Sequence, residues 1–155
     1  AACSTSAAPE AALDAATIDA ISDSISAVVD DVNRSATAGD GESFMGLWAR
    51  TDSVVYVRSG RAFFGWDAVA AAHQFADGTP GTFVSADTRV RVLDRDSGVA
   101  TAFIRTPSPD GEYEGWFTIT MAVERRSDGW KIIYAHGSYP EPGASPWGDE
   151  GRPTG

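Results

Sequence analysis

Between positions 18 and 36 the apolar residues Ile18, Ile21, Ile25, Val28, Val29, Val32 and Ala36 recur at helical spacing, with Asp19, Asp23, Asp30 and Asp31 between them. The pattern predicts an amphipathic helix with one apolar stripe, ended by "AGDG" at 38–41. A second, short helix follows, with Asp40 placed to cap it and Phe44, Leu47 and Trp48 on one side. "SVVYV" (53–57), the turn "RSG" and "RAFF" (61–64) read as a hairpin of β-branched and aromatic residues. "GWDAVAAAHQF" (65–75) reads as a third helix: Gly65 breaks the strand, Asp67 can cap, and Trp66, Val69, His73 and Ala76 share a stripe with Phe75 close by.

From Thr82 onward the period changes from helical to two. Strands are expected at 82–93, 99–106, 112–125 and 130–139, joined by "DRDSG", "PSPDG" and "RSDG". Helices segregated from a run of long antiparallel strands give an α+β class, with helices covering one face of a curved sheet. Residues 1–13 are rich in Ala, Ser and Pro and read as a flexible tether. Residues 140–155 are Pro, Gly and charge and read as a flexible tail, with Trp147 its one candidate anchor. The domain is thus expected at 14–139.

On the fifth expected strand (112–125), Tyr113, Gly115, Phe117, Ile119, Met121 and Val123 form the apolar set. If "RSDG" pairs Arg125 with Trp130, then Val123 opposes Ile132, Met121 opposes Tyr134 and Ile119 opposes His136. That register puts Trp130, Ile132, Tyr134, His136 and Ser138 on the helix-covered side, and a slip of one residue would reverse it. The opposite face carries Arg89, Arg91, Phe103, Arg105, Glu114, Trp116, Thr118 and Ile133. Arg and Glu suit an open sheet surface, whereas Trp116 and Phe103 suit a covered one.

Composition removes several function classes. The formal net charge is −10 and the twelve Lys and Arg residues are scattered, so no nucleic-acid partner is expected. No apolar run reaches the roughly 20 residues that span a bilayer. One cysteine, Cys3, and two histidines cannot assemble a zinc site. "AAC" followed by "STSAAPEAA" resembles the end of a bacterial lipoprotein signal, which would make Cys3 a lipidation site, the only expected membrane attachment, and the protein an exported, periplasmic or cell-surface one. The sequon Asn33-Arg34-Ser35 falls inside the first expected helix and is discounted. There is no Gly-rich phosphate loop, nucleophile elbow, His-x-x-x-His pair or calcium loop, and no cofactor or metal is expected.

The motifs "ATAGD" (36–40), "LWARTDSVVYV" (47–57), "GWDAV" (65–69) and "GWKIIYAHGS" (129–138), in this order and spacing over about residues 15–139, resemble the nuclear transport factor 2-like superfamily. That superfamily includes ketosteroid isomerase, scytalone dehydratase, SnoaL-like polyketide cyclases and the association domain of calmodulin-dependent kinase II. The last motif looks like the W-x-I-x-x-x-H-x-S ending of the SnoaL-like branch. The resemblance implies a cone-shaped curved antiparallel sheet wrapped around three N-terminal helices. It also implies a ligand or active site inside the cone and a homodimer formed through the outer sheet face.

Within that frame the expected function is binding of a small apolar or aromatic molecule. Trp48, Phe117, Ile119, Met121 and Tyr134 are the expected lining. The alternatives are a cofactor-independent isomerase, cyclase or dehydratase-like proton transfer using His136, His73 and Tyr56, or a non-catalytic dimerisation domain with a filled core. A histidine is the natural candidate because its imidazole can bind or shuttle a proton near neutral pH. The ketosteroid isomerase arrangement is not matched: its carboxylate base would fall at Tyr56 or Val57 and its tyrosine at about Val32. Two aspartates bridged by an arginine, as in limonene-epoxide hydrolase, are not recognisable either. Asp52 and Asp87 are the interior-leaning candidates, with Asp52 read as a cap.

Overall fold

A computed structural model describes residues 12–73, 83–107, 114–140, 144 and 146–147. Cys3, most of the N-terminal tether, Phe75, Ala76, Thr82, Glu112, Tyr113 and most of the C-terminal tail lie outside the described residues. Helix α1 (Ala15–Ala38) begins where Asp14 accepts a hydrogen bond from the Thr17 N–H at 2.7 Å. Its Ile21, Ile25, Val28, Val29, Val32 and Ala36 are all buried, as the spacing requires. Helix α2 (Gly41–Gly46) starts at the expected cap, with Asp40 accepting from the Ser43 N–H at 3.0 Å. The hairpin is β1 (Val55–Arg58) and β2 (Arg61–Phe64). Helix α3 (Trp66–Ala72) has Gly65 at its cap and ends with His73 as its C-terminal cap, so Asp67 lies in the first turn and does not cap.

Four long strands follow: β3 (Val84–Val92), β4 (Ser97–Pro107), β5 (Glu114–Arg126) and β6 (Gly129–Ser138). The six strands form one curved, unclosed sheet in the order β2-β1-β6-β5-β4-β3. All neighbours are antiparallel except β1 and β6, which run parallel; the sheet is therefore mixed where an antiparallel one was expected. The chain between β1 and β6 runs through β2, α3 and β3 to β5, which leaves room for a parallel pairing that a two-residue turn would forbid. Ala100, Ala102 and Ile104 of β4 and Ile119, Met121 and Val123 of β5 face α1 and are buried. Asn33 ties α1 to β3 by donating from Nδ2 to Ser85 Oγ at 2.7 Å.

The strand that ends the sheet departs from the expected register. Arg125 pairs with Trp130 and Val123 with Ile132, but Ala122 pairs with Tyr134 and not with Ile133. Ile133 is the extra residue of a β-bulge, and beyond it every side chain of β6 changes face. Met121 pairs with Ala135, Ile119 with Gly137 and Thr120 with His136. Ala135 and Gly137 are therefore buried on the helix-covered side, whereas Tyr134, His136 and Ser138 are exposed on the outer face. The bulge sits where β6 changes its edge partner. Ile132 exchanges backbone hydrogen bonds with Leu47 and Ala49 at 2.8 and 2.9 Å, and from Tyr134 onward β6 pairs with β1.

The outer face also differs from expectation. Phe103 and Trp116 point outward as predicted, but the ring of Trp147 lies 5.2 Å from Phe103 and 4.9 Å from Trp116 between centroids. Two aromatics side by side on a sheet attract a third from the chain's own tail, because burying their surface is favourable whichever chain supplies the cover. Trp147 thus occupies part of the face that was expected to meet a second subunit.

Helix α1 and the sheet approach closely at Gly98, where a Cβ would overlap Ile25 Cδ1 and come within 3.1 Å of the Arg91 carbonyl oxygen. Ile25 is fully buried within the core. Gly98→Ala is expected to destabilise the fold by ~1–3 kcal/mol, the usual cost of overpacking, read as a lowered urea midpoint with unchanged m-value.

Candidate functional site

On the inner side of the curved sheet the titratable side chains Tyr56 and His73 meet at one place. Tyr56 faces inward from β1 because its register partner on β6, Ala135, is buried, and both are small-and-large neighbours on the same side. His73 comes from the end of α3 and packs against three rings, with centroid separations of 4.2 Å to Tyr56, 4.9 Å to Phe44 and 5.3 Å to Trp48. Trp48 meets Tyr56 edge-on at 5.8 Å, and Phe63 of β2 stacks on Tyr56 at 6.0 Å. Beyond Tyr56, Phe117 covers Gly137 and packs on Tyr139 at 4.8 Å. A Cβ at Gly137 would overlap the Phe117 ring, so only glycine admits that ring here.

The electrostatics of this aromatic box favour neutral groups. His73 Nδ1 lies 2.8 Å from the Val69 carbonyl oxygen. A carbonyl can only accept, so Nδ1 carries the proton and Nε2 is left as the acceptor of the ring. Burial lowers the His73 pKa to about 4, the Val69 hydrogen bond opposes this, and the Arg58 charge adds to it. Burial likewise pushes Tyr56 up to about 12, against the nearby Arg58 guanidinium, whose charge lowers it, and with Tyr139 raising it further. At neutral pH the box therefore holds a neutral imidazole and a protonated phenol. Trp48 is only 3% exposed, and its Nε1 is buried with no hydrogen-bond partner among the described residues.

The structure separates the sequence-derived candidates. His73, Tyr56 and Trp48 come together. Phe117 lies on the same concave side further along, whereas Ile119 and Met121 are packed into the core. Tyr134 and His136 are turned away by the bulge: His136 is exposed beside Thr120 and Val57 on the outer face, far from the role its motif suggested. Asp52 is exposed, and Asp87 lies opposite Phe103 on the outer face, paired with Arg89 at 3.0 Å, so neither leans inward. Surface grooves of about 640, 580 and 440 Å³ flank α1, and none is lined by a predicted site residue. No group of acidic, His or Cys side chains among the described residues could hold a metal ion. Sequence reasoning missed Arg58 and Phe63; both follow from the hairpin alternation once Tyr56 is placed inside.

The architecture has many solved counterparts. A provisionally named dehydratase of the NTF2-like family from Streptomyces avermitilis superposes with a TM-score of 0.70 at 21% identity, covering 79% of this chain and 97% of that one. An NTF2-like protein of unknown function from Pseudomonas putida gives 0.68 at 22% identity over 79% and 88% of the two chains. Another from Shewanella oneidensis gives 0.66 at 18% over 75% and 97%. At these identities the likeness speaks for the fold. No curated protein matches the sequence. The profile of the SnoaL-like domain matches residues 25–142, which spans every described strand and most of α1, and the chain belongs to the SnoaL-like domain family.

Proposed function

We propose that the domain takes a small apolar or aromatic molecule against Trp48, Tyr56 and His73 on the concave side of its sheet, and holds one polar atom of it there. Folds of this family often bind small molecules or act as dehydratases or isomerases. The observation that carries the reading is the buried Trp48 Nε1, without a hydrogen-bond partner among the described residues, beside an imidazole whose Nδ1 is taken by the Val69 carbonyl and whose Nε2 is its acceptor. A buried N–H left without a partner costs roughly 1–3 kcal/mol, a cost that a ligand oxygen would remove. A hydroxyl suits the set well: its oxygen can accept from Trp48 Nε1–H or Tyr56 Oη–H while its proton goes to His73 Nε2. The surrounding rings of Phe44, Tyr56 and Phe63 offer apolar faces to the body of such a molecule.

A second reading has a specific observation behind it. A neutral imidazole with one nitrogen fixed on a backbone carbonyl, in ring contact with a protonated phenol, is a base next to an acid. Proton transfer on a bound hydroxyl or carbonyl compound would use His73 and Tyr56. His136, exposed on the outer face, has no part in it.

The binding reading is tested with 2-naphthol and calorimetry. The unmodified protein is expected to bind it in a saturable, one-to-one manner. Trp48→Phe keeps a ring and loses only the N–H, so affinity should fall roughly five- to tenfold, while stability drops only by the ~1–2 kcal/mol that lost ring volume costs. Equal affinity in the variant would remove Trp48 Nε1 from the site.

The His73 assignment predicts a pH signature. The unfolded chain takes up this proton near 6.5 and the folded chain only near 4. Between these values the unfolded state binds more protons, so stability falls as the pH drops from about 6.5 to 4, by up to ~3 kcal/mol from this group. Above 6.5 the contribution is constant. Urea midpoints from pH 7 to 4 should fall more steeply for the unmodified protein than for His73→Gln; parallel curves would mean that His73 titrates as a solvated histidine.

A further inference from the structure

The tip of the β1–β2 hairpin carries a feature that packing does not require. Tyr56 and Phe63 are register partners on the inner face, and the next inward pair along the hairpin is Arg58 and Arg61. Like charges directly opposite each other on a sheet are destabilising, yet no carboxylate among the described residues pairs with either arginine. Both are exposed. Arg61 lies over the Phe63 ring at 5.0 Å, which keeps its guanidinium on the inner side, and Arg58 stands beside the Tyr56 hydroxyl. On the neighbouring strand the position paired with Arg58 is Gly137, over which the Phe117 ring packs, and Phe117 and Tyr139 line the same end.

We propose that Arg58 and Arg61 form the anion-binding rim of the concave site, and that the ligand is an apolar acid whose carboxylate sits between the two guanidiniums. The inference rests on the binding reading above and narrows its ligand class. Planar guanidinium forks match the two oxygens of a carboxylate, and a bound anion converts a repulsive pair into two charge-assisted hydrogen bonds. The apolar body then extends inward along Phe63 and Phe117 toward Tyr56, and a hydroxyl or carbonyl at its far end reaches Trp48 Nε1 and His73 Nε2. One end of the molecule is read by charge at the wet rim and the other by neutral hydrogen bonds in the dry box.

The test uses two probes of one shape, 6-hydroxy-2-naphthoate and 6-hydroxy-2-naphthamide, titrated into the full chain by calorimetry at low salt. The acid is expected to bind roughly five- to tenfold more tightly than the amide. The preference should shrink as salt screens the exposed rim. In Arg58→Gln/Arg61→Gln the affinity for the acid should fall to that for the amide, and Arg58→Lys should restore part of it. Because both arginines are exposed, circular dichroism should show the double variant folded. Amide binding without any preference for the acid, or a preference that survives the double variant, overturns the rim while the binding reading stands. Failure of both probes to bind overturns both.

Discussion

One extra residue in the last strand decides which side of the sheet carries the chemistry. Up to Ile132, β6 follows simple alternation; at Ile133 the ladder with β5 slips by one, and the small residues Ala135 and Gly137 turn inward. The slip is held on both sides. Leu47 and Ala49 fix Ile132 from one edge through two backbone hydrogen bonds, and β1 takes up the edge from Tyr134 onward. Undoing it would turn the exposed polar side chains of His136 and Ser138 into the core and expose Ala135 and Gly137. It would also bring the side chains of His136 and Ser138 to the side where the Phe117 ring packs over Gly137, so the bulge and the aromatic packing on the concave side require one another.

With the small residues inside, room exists for large side chains from elsewhere. Tyr56 sits over Ala135 and Phe117 over Gly137, while Trp48 and His73 arrive from the helical segments. The result is a low-dielectric aromatic cluster in which ionisation is suppressed for both titratable members, since burial dominates the shift of each. Charge is confined to the exposed tip of the β1–β2 hairpin. That division of neutral interior and cationic rim is the physical basis of the proposed ligand, an apolar acid with a polar far end.

Much of the fold was legible in the sequence because it depends on local signals. The apolar stripe of α1, the Asp40 cap, the hairpin at 53–64 and the period-two strands each carry their own pattern, and each reappears within a few residues of where it was read. The inward set Phe117, Ile119, Met121 and Val123 was legible for the same reason. What failed was a long-range property. The alternation of "WKIIYAHGSY" is equally regular in either register, and bulky Tyr134 and His136 looked like better core than Ala135 and Gly137. The Ile132-Ile133 doublet, and the small residues two apart after it, were the available signals for a bulge. The parallel β1–β6 pairing and the seat of Trp147 on Phe103 and Trp116 are tertiary choices that no local pattern encodes. The candidate site was half legible: His73, Tyr56 and Trp48 were named, but His136 was given the place that the bulge denies it.

The most direct test of this account is the accessibility of the two histidines. Brief treatment of the native protein with diethyl pyrocarbonate at pH 7, followed by peptide mass mapping, reports which imidazole meets solvent. The account predicts that His136 is modified rapidly and that His73, packed among Phe44, Trp48 and Tyr56, is protected until the protein is unfolded. Protection of His136 with rapid modification of His73 would contradict the bulge at Ile133 and the site built upon it.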